Sequence, residues 1–147
     1  MEHTASRRAL IALDGFAGLS AVAGMVGLVG GGVQMPAAWL EGTPFADYLV
    51  PGLILGIAVG GSALLAIVAT IWNAGTGAVL SLIAGAIMMG WIVGEYILMP
   101  NARFGLAVLD ASWLQPLYFL VGLAMAALAL RILPGGWRSL PHAARLT

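Results

Sequence analysis

Between Leu10 and Val33 the chain runs for 24 residues with a single ionisable side chain, Asp14. At 1.5 Å per residue such a segment is about 36 Å long as a helix, enough to cross a hydrocarbon core of about 30 Å with some tilt. Three more runs of the same kind follow, over about 49–72, 77–99 and 113–133. Only 8% of the 147 residues are charged and 61% are hydrophobic. A soluble domain averages about 25% charged residues, so lipid must be the solvent over most of this surface. The reading is all-α: a single-domain, four-transmembrane-helix bundle with up-down-up-down topology. The first run is too long for a signal-peptide core and is read as a retained span.

The breaks between the runs carry turn chemistry. Residues 34–48 contain Pro36, Pro44, Glu41 and Asp47. Thr43-Pro44 reads as an N-cap followed by a first-turn proline, with Asp47 in the first turn of a helix. Pro51 starts the second span or kinks it. The connection 73–76 is short enough to make spans two and three an antiparallel hairpin, and Pro100 opens a loop over 100–112.

Charge sets the expected orientation. Arg7, Arg8, Arg131, Arg138 and Arg145 flank the two termini, and Arg103 alone lies on the other side. The positive-inside rule then puts both termini in the cytoplasm, 34–48 and 100–112 in outer loops and 73–76 inside. Trp39 and Trp113 fall at the outer boundary, Trp72 and Trp137 at the inner one, as interfacial belts require.

Several chemistries are excluded by composition. There is no cysteine, so there are no disulfides and no thiolate metal site. All six cations are arginine, which removes a lysine Schiff base. His3 and His142 lie in the two tails, so no bis-histidine haem fits inside the bundle. No metal, no cofactor and no nucleic-acid partner is expected.

Helix association in lipid relies on small residues and polar contacts. Gly52, Gly56 and Gly60 form a stripe on span two, and Gly90 and Gly94 one on span three; Gly27 with Gly31, and Gly122 with Ala126, are further small pairs. These are read as packing faces inside one bundle. Asp14 near the inner end of span one and Arg131 on span four are expected to form an ion pair as a structural clasp.

Glu95 is the second acid within a span. Ser81, Met88 and Glu95 are seven apart, with Ala84 and Gly85 between them, so this face points into the bundle. An outward-facing polar pocket is expected, built from Glu95, Trp91, Gln115 and Tyr118; a carboxylate paired with Arg103 is the structural alternative.

Thr43-Pro44-Phe45-Ala46-Asp47-Tyr48, Val50-Pro51-Gly52-Leu53, Gly60-Gly61-Ser62 and Gly90-Trp91-Ile92 with Glu95 together resemble small uncharacterised four-span bacterial integral membrane proteins. The resemblance covers Trp39 to Leu130 and implies a fold and a membrane location, with no activity to carry over. DoxX-like proteins are similar in size and span count only. Small multidrug exporters need a glutamate in the middle of span one, where this chain has Ser20 and glycines. Four-span fluoride channels need an Asn and Phe-rich motif not found here.

The functional expectation is a non-enzymatic multi-pass protein of the bacterial plasma membrane. It would be an accessory subunit of a larger membrane complex, or a binder of a lipid or small apolar molecule through the pocket near Glu95. A proton- or cation-coupled transporter using Glu95 is the second expectation. An isomerase-like intramembrane enzyme with Glu95 as acid is the third, and it would need Gln115 or Asp110 beside that acid.

Overall fold

The computed structural model describes residues 2–99 and 113–133. Four helices in it are long and apolar enough to cross a membrane. We label them α1 (Glu2–Val29), α2 (Leu49–Trp72), α3 (Ala74–Leu98) and α4 (Leu114–Ile132). Each flank of α1 is covered, by α2 on one side and α4 on the other; α3 also packs on both, so α1 and α3 meet across the bundle.

The outside of the bundle is as apolar as its inside. Leu19, Ile57, Leu65 and Ile97 are each about two-thirds exposed. Water would not tolerate such a surface; lipid does. The interior is made of small side chains: Ala17, Ala63, Ala66, Ala78, Ala84 and Ala129 are all at 1% exposure or less. They let helix backbones approach closely, which is how membrane helices gain contact.

α1 is longer at its start than the apolar run suggests. It begins at Glu2 and ends at Val29, where the chain reverses through Gly31 at φ +73°. Gly30 and Val33 N–H groups bond the carbonyls of Val26 and Gly27 at 2.8 and 2.9 Å, satisfying the helix end. A 3-10 turn, Ala37–Leu40, follows. Trp39 is buried there, at 8% exposure, so its indole packs against the protein. Trp72 and Trp113 are exposed at helix ends.

Thr43 does not cap a helix. Its hydroxyl donates to Leu40 O at 2.7 Å and accepts from Phe45 N–H, closing the loop on itself. Tyr48 is the N-cap and its side chain makes no capping bond; Asp47, one residue earlier, accepts from Leu49 N–H through Oδ1 at 2.9 Å as α2 starts. Pro51 is in the first turn, where its missing N–H costs nothing, so it starts the helix and does not kink it. The irregularity comes later, where Ile54–Gly60 adopts π-helical bonding between α-helical segments Leu49–Leu53 and Gly61–Trp72.

Asn73 alone joins α2 to α3, and α3 starts three residues earlier than the sequence suggested. Asn73 is extended, at φ −145° and ψ 115°, and its Oδ1 accepts from Thr76 N–H at 3.0 Å as the N-cap of α3. A side chain at Gly77 would run into the backbone of Thr70, so the turn closes only because that position is glycine.

The glycine stripes divide. Gly52, Gly56 and Gly60 face α1, where added side chains would meet Val29, Met25 and Val22. Gly90 and Gly94 are not packing positions among the described residues: a Cβ at either would meet none of them within 4 Å. The close crossing of α3 and α4 is made by Gly85 and Gly122, each of whose added Cβ would lie under 3 Å from the other's carbonyl oxygen. Gly18 and Gly60 make the matching approach between α1 and α2, at 3.2–3.3 Å.

Candidate functional site

Ser81, Ala84, Gly85, Met88 and Ile92 form the buried face of α3. This stripe leads up to Glu95 in the last turn of the helix, where its carbonyl accepts from Met99 N–H. Beside Glu95 the bundle is hollow. A cavity of about 200 Å³ lies among all four helices, with Met35 of the α1–α2 connection in its wall. α3 contributes Met88, Trp91, Ile92 and Glu95; α4 contributes Leu114, Gln115 and Tyr118. Ala21 and Gly24 on α1 and Leu55 on the π-helical part of α2 complete an otherwise apolar lining.

Glu95, Trp91, Gln115 and Tyr118, expected from the sequence to share a pocket, all line this one cavity. Their partners differ. The Trp91 indole N–H interacts with the Glu95 carboxylate. The Tyr118 ring stacks on Phe16 of α1, with centroids 5.8 Å apart and planes at 18°, which ties α4 to α1 beside the cavity. Ser20 also reaches the cavity, but its hydroxyl donates to Phe16 O at 2.6 Å and is spent on its own helix.

Gln115 stands out. It is only 7% exposed, lines the cavity, and makes no side-chain hydrogen bond among the described residues. Arg103 and Asp110, the loop residues weighed as partners of Glu95, lie outside the described residues.

The other intramembrane acid is placed differently. Asp14 is fully buried, and its Oδ2 accepts from the Ser81 hydroxyl at 2.6 Å, joining α1 to α3 across the bundle. Its Oδ1 has no hydrogen-bond partner. The expected Asp14–Arg131 ion pair does not form. Because the span starts at Thr4, Asp14 lies about 15 Å along it, near the middle. Arg131 is in the last turn of α4 and exposed, two to three turns from that depth. The clasp at that end is Arg7, which the sequence reading passed over. Its Nε and Nη2 donate to Thr70 O and Ile71 O at 3.1 and 2.8 Å, closing the open end of α2. The available signal was its heptad spacing from Asp14.

Met35, Leu55 and Phe16 were also missed. Met35 lies in a loop, Leu55 is presented by a π-helical turn, and Phe16 looks lipid-facing in any helical projection. No protein-family model matches the chain, and neither a curated protein nor a solved structure matches it.

Proposed function

We propose that this chain is a non-enzymatic multi-pass protein of the bacterial plasma membrane that binds a lipid or small apolar molecule in the cavity beside Glu95, alone or as an accessory subunit of a larger membrane complex. The helices run up-down-up-down with both termini cytoplasmic, a reading supported by Arg7 at the start of α1 touching the end of α2. The cavity then opens toward the outer leaflet. The observation that carries the proposal is an apolar cavity of about 200 Å³ whose wall brings together the Gln115 side chain and the Glu95 carboxylate. An apolar cavity of about 150 Å³ is enough to bind benzene.

Thermal unfolding of the purified protein in lipid nanodiscs tests this. Indole, a one-molecule fit, raises the midpoint of the natural chain and leaves Leu114→Trp, which fills the cavity, unshifted. Equal shifts for both, or none for either, overturn the proposal.

One observation favours a second reading, a proton- or cation-coupled transporter. Asp14 lies near the middle of its span with one carboxylate oxygen unpaired. From Asp14 to the cavity floor at Ala21 is about 10 Å of helix rise, lined by Ala17, Ala84 and Met125. Loss of proton uptake into liposomes in both Asp14→Asn and Glu95→Gln would favour transport; uptake no different from empty liposomes removes it.

A further inference from the structure

We infer that the ligand of this cavity is a primary amine with a small apolar body, held by its ammonium between Glu95 and Gln115. The inference rests on the cavity being a binding site and adds the chemistry of what fills it.

Three observations converge on a cation. First, the acid has no counter-charge from the helices. Arg7 is bonded to the carbonyls at the end of α2, Arg8 lies beside it at the start of α1, and Arg131 is in the last turn of α4. All three are at the end of the bundle that holds the α2–α3 turn, whereas Glu95 is at the far end of α3, about 30 Å of helix away. Second, Glu95 sits in the last turn of α3, which contains no basic residue. The helix dipole there is negative and favours a cation over the acid that occupies it. Third, Gln115 lines the same cavity and makes no side-chain hydrogen bond among the described residues, so its amide is free to meet a guest. Its carbonyl oxygen is a second acceptor, and an ammonium has three donors to satisfy.

The remaining walls suit the rest of such a molecule. Trp91 and Tyr118 present aromatic rings, which attract an ammonium over their faces. Met88, Ile92 and Leu55 offer only hydrocarbon and sulfur to the body. The volume of about 200 Å³ admits one ring with a short chain. The ammonium could belong to a free amine or to an ethanolamine headgroup; the chemistry is the same.

The test uses matched probes, 2-phenylethylamine and 2-phenylethanol, with the full chain in phosphatidylglycerol nanodiscs, which contain no amine. We expect the amine to bind at least tenfold tighter than the alcohol, and Glu95→Gln to abolish that preference while keeping alcohol binding. Added phosphatidylethanolamine competes with the amine if the natural source is a headgroup and leaves it unaffected if the source is a free amine. Amine and alcohol binding within twofold in the natural chain overturns the inference but keeps the cavity reading, provided Leu114→Trp blocks both. Amine preference that survives Glu95→Gln overturns it too. So does a preference that appears only in Arg103→Ala, since an arginine would then occupy the ammonium's place. Failure of both probes to bind sinks the cavity reading as well.

Discussion

The two halves of this bundle are built on opposite plans. In the half nearest the Asn73 turn, every gap is closed: Thr70 against Gly77, Arg7 over the α2 carbonyls, Asp14 on Ser81. In the half toward the α1–α2 connection, the helices leave a cavity, and a Cβ added at Gly90 or Gly94 would meet nothing within 4 Å among the described residues. Each half contains one acid within a membrane-spanning helix other than its first turn. The fully enclosed one, Asp14, has a hydroxyl partner and no space beside it; the partly buried one, Glu95, has space and polar neighbours. The difference teaches that depth of burial alone does not mark a binding group. Asp14 is sealed in against Ser81, whereas Glu95, the acid of the proposed site, has room in front of it.

The sharpest way to break this contrast is at the crossing that separates the halves. Gly85→Leu forces a side chain into the Gly122 carbonyl, and overpacking of this kind costs about 3 kcal/mol. Unfolding of the variant in mild detergent, followed by circular dichroism, should show a clear loss of stability; unchanged stability would mean the α3–α4 crossing is not a tight contact. Next comes the sealed acid. Asp14→Ala removes the acceptor of Ser81 and leaves a small void, for an expected loss of about 1–3 kcal/mol. Indole binding should persist in the folded fraction. If Asp14→Ala instead abolishes binding while stability holds, the two acids have been assigned to the wrong roles. The smallest effect belongs to the open side. Gly90→Ala meets nothing and should change monomer stability by less than about 0.5 kcal/mol. A large change there would show that another surface covers this face.

Much of this was legible in the residues. Hydropathy gave four spans because a bilayer imposes length and satisfied backbone on any crossing segment. The seven-residue spacing from Ser81 to Glu95 identified the inward face of α3, because a helix interior selects small and polar side chains whatever its partners are. What failed depended on depth or on neighbours. Asp14 was placed near the inner end because the polar residues 2–9 were read as a tail, yet they continue α1. That error of two to three turns produced the Asp14–Arg131 pair. Gly90 and Gly94 repeat at the same spacing as Gly52 and Gly56, and spacing carries no information on which stripe meets another helix. The π-helical turn at Ile54–Gly60 left no trace, since its residues suit an α-helix equally well.

The single-residue link at Asn73 has a consequence for how the cavity can breathe. With one residue between them and Gly77 pressed on Thr70, α2 and α3 are tied together at that end of the bundle. Glu95 and Trp91 ride on α3; Gln115 and Tyr118 ride on α4, held to α1 through Phe16. The carboxylate and the amide therefore sit on different helices, and their separation follows how α3 and α4 cross. For the ligand proposed above, the α3–α4 spacing would then set the reach of both polar groups, so a guest that pushed these helices apart would be held by fewer hydrogen bonds.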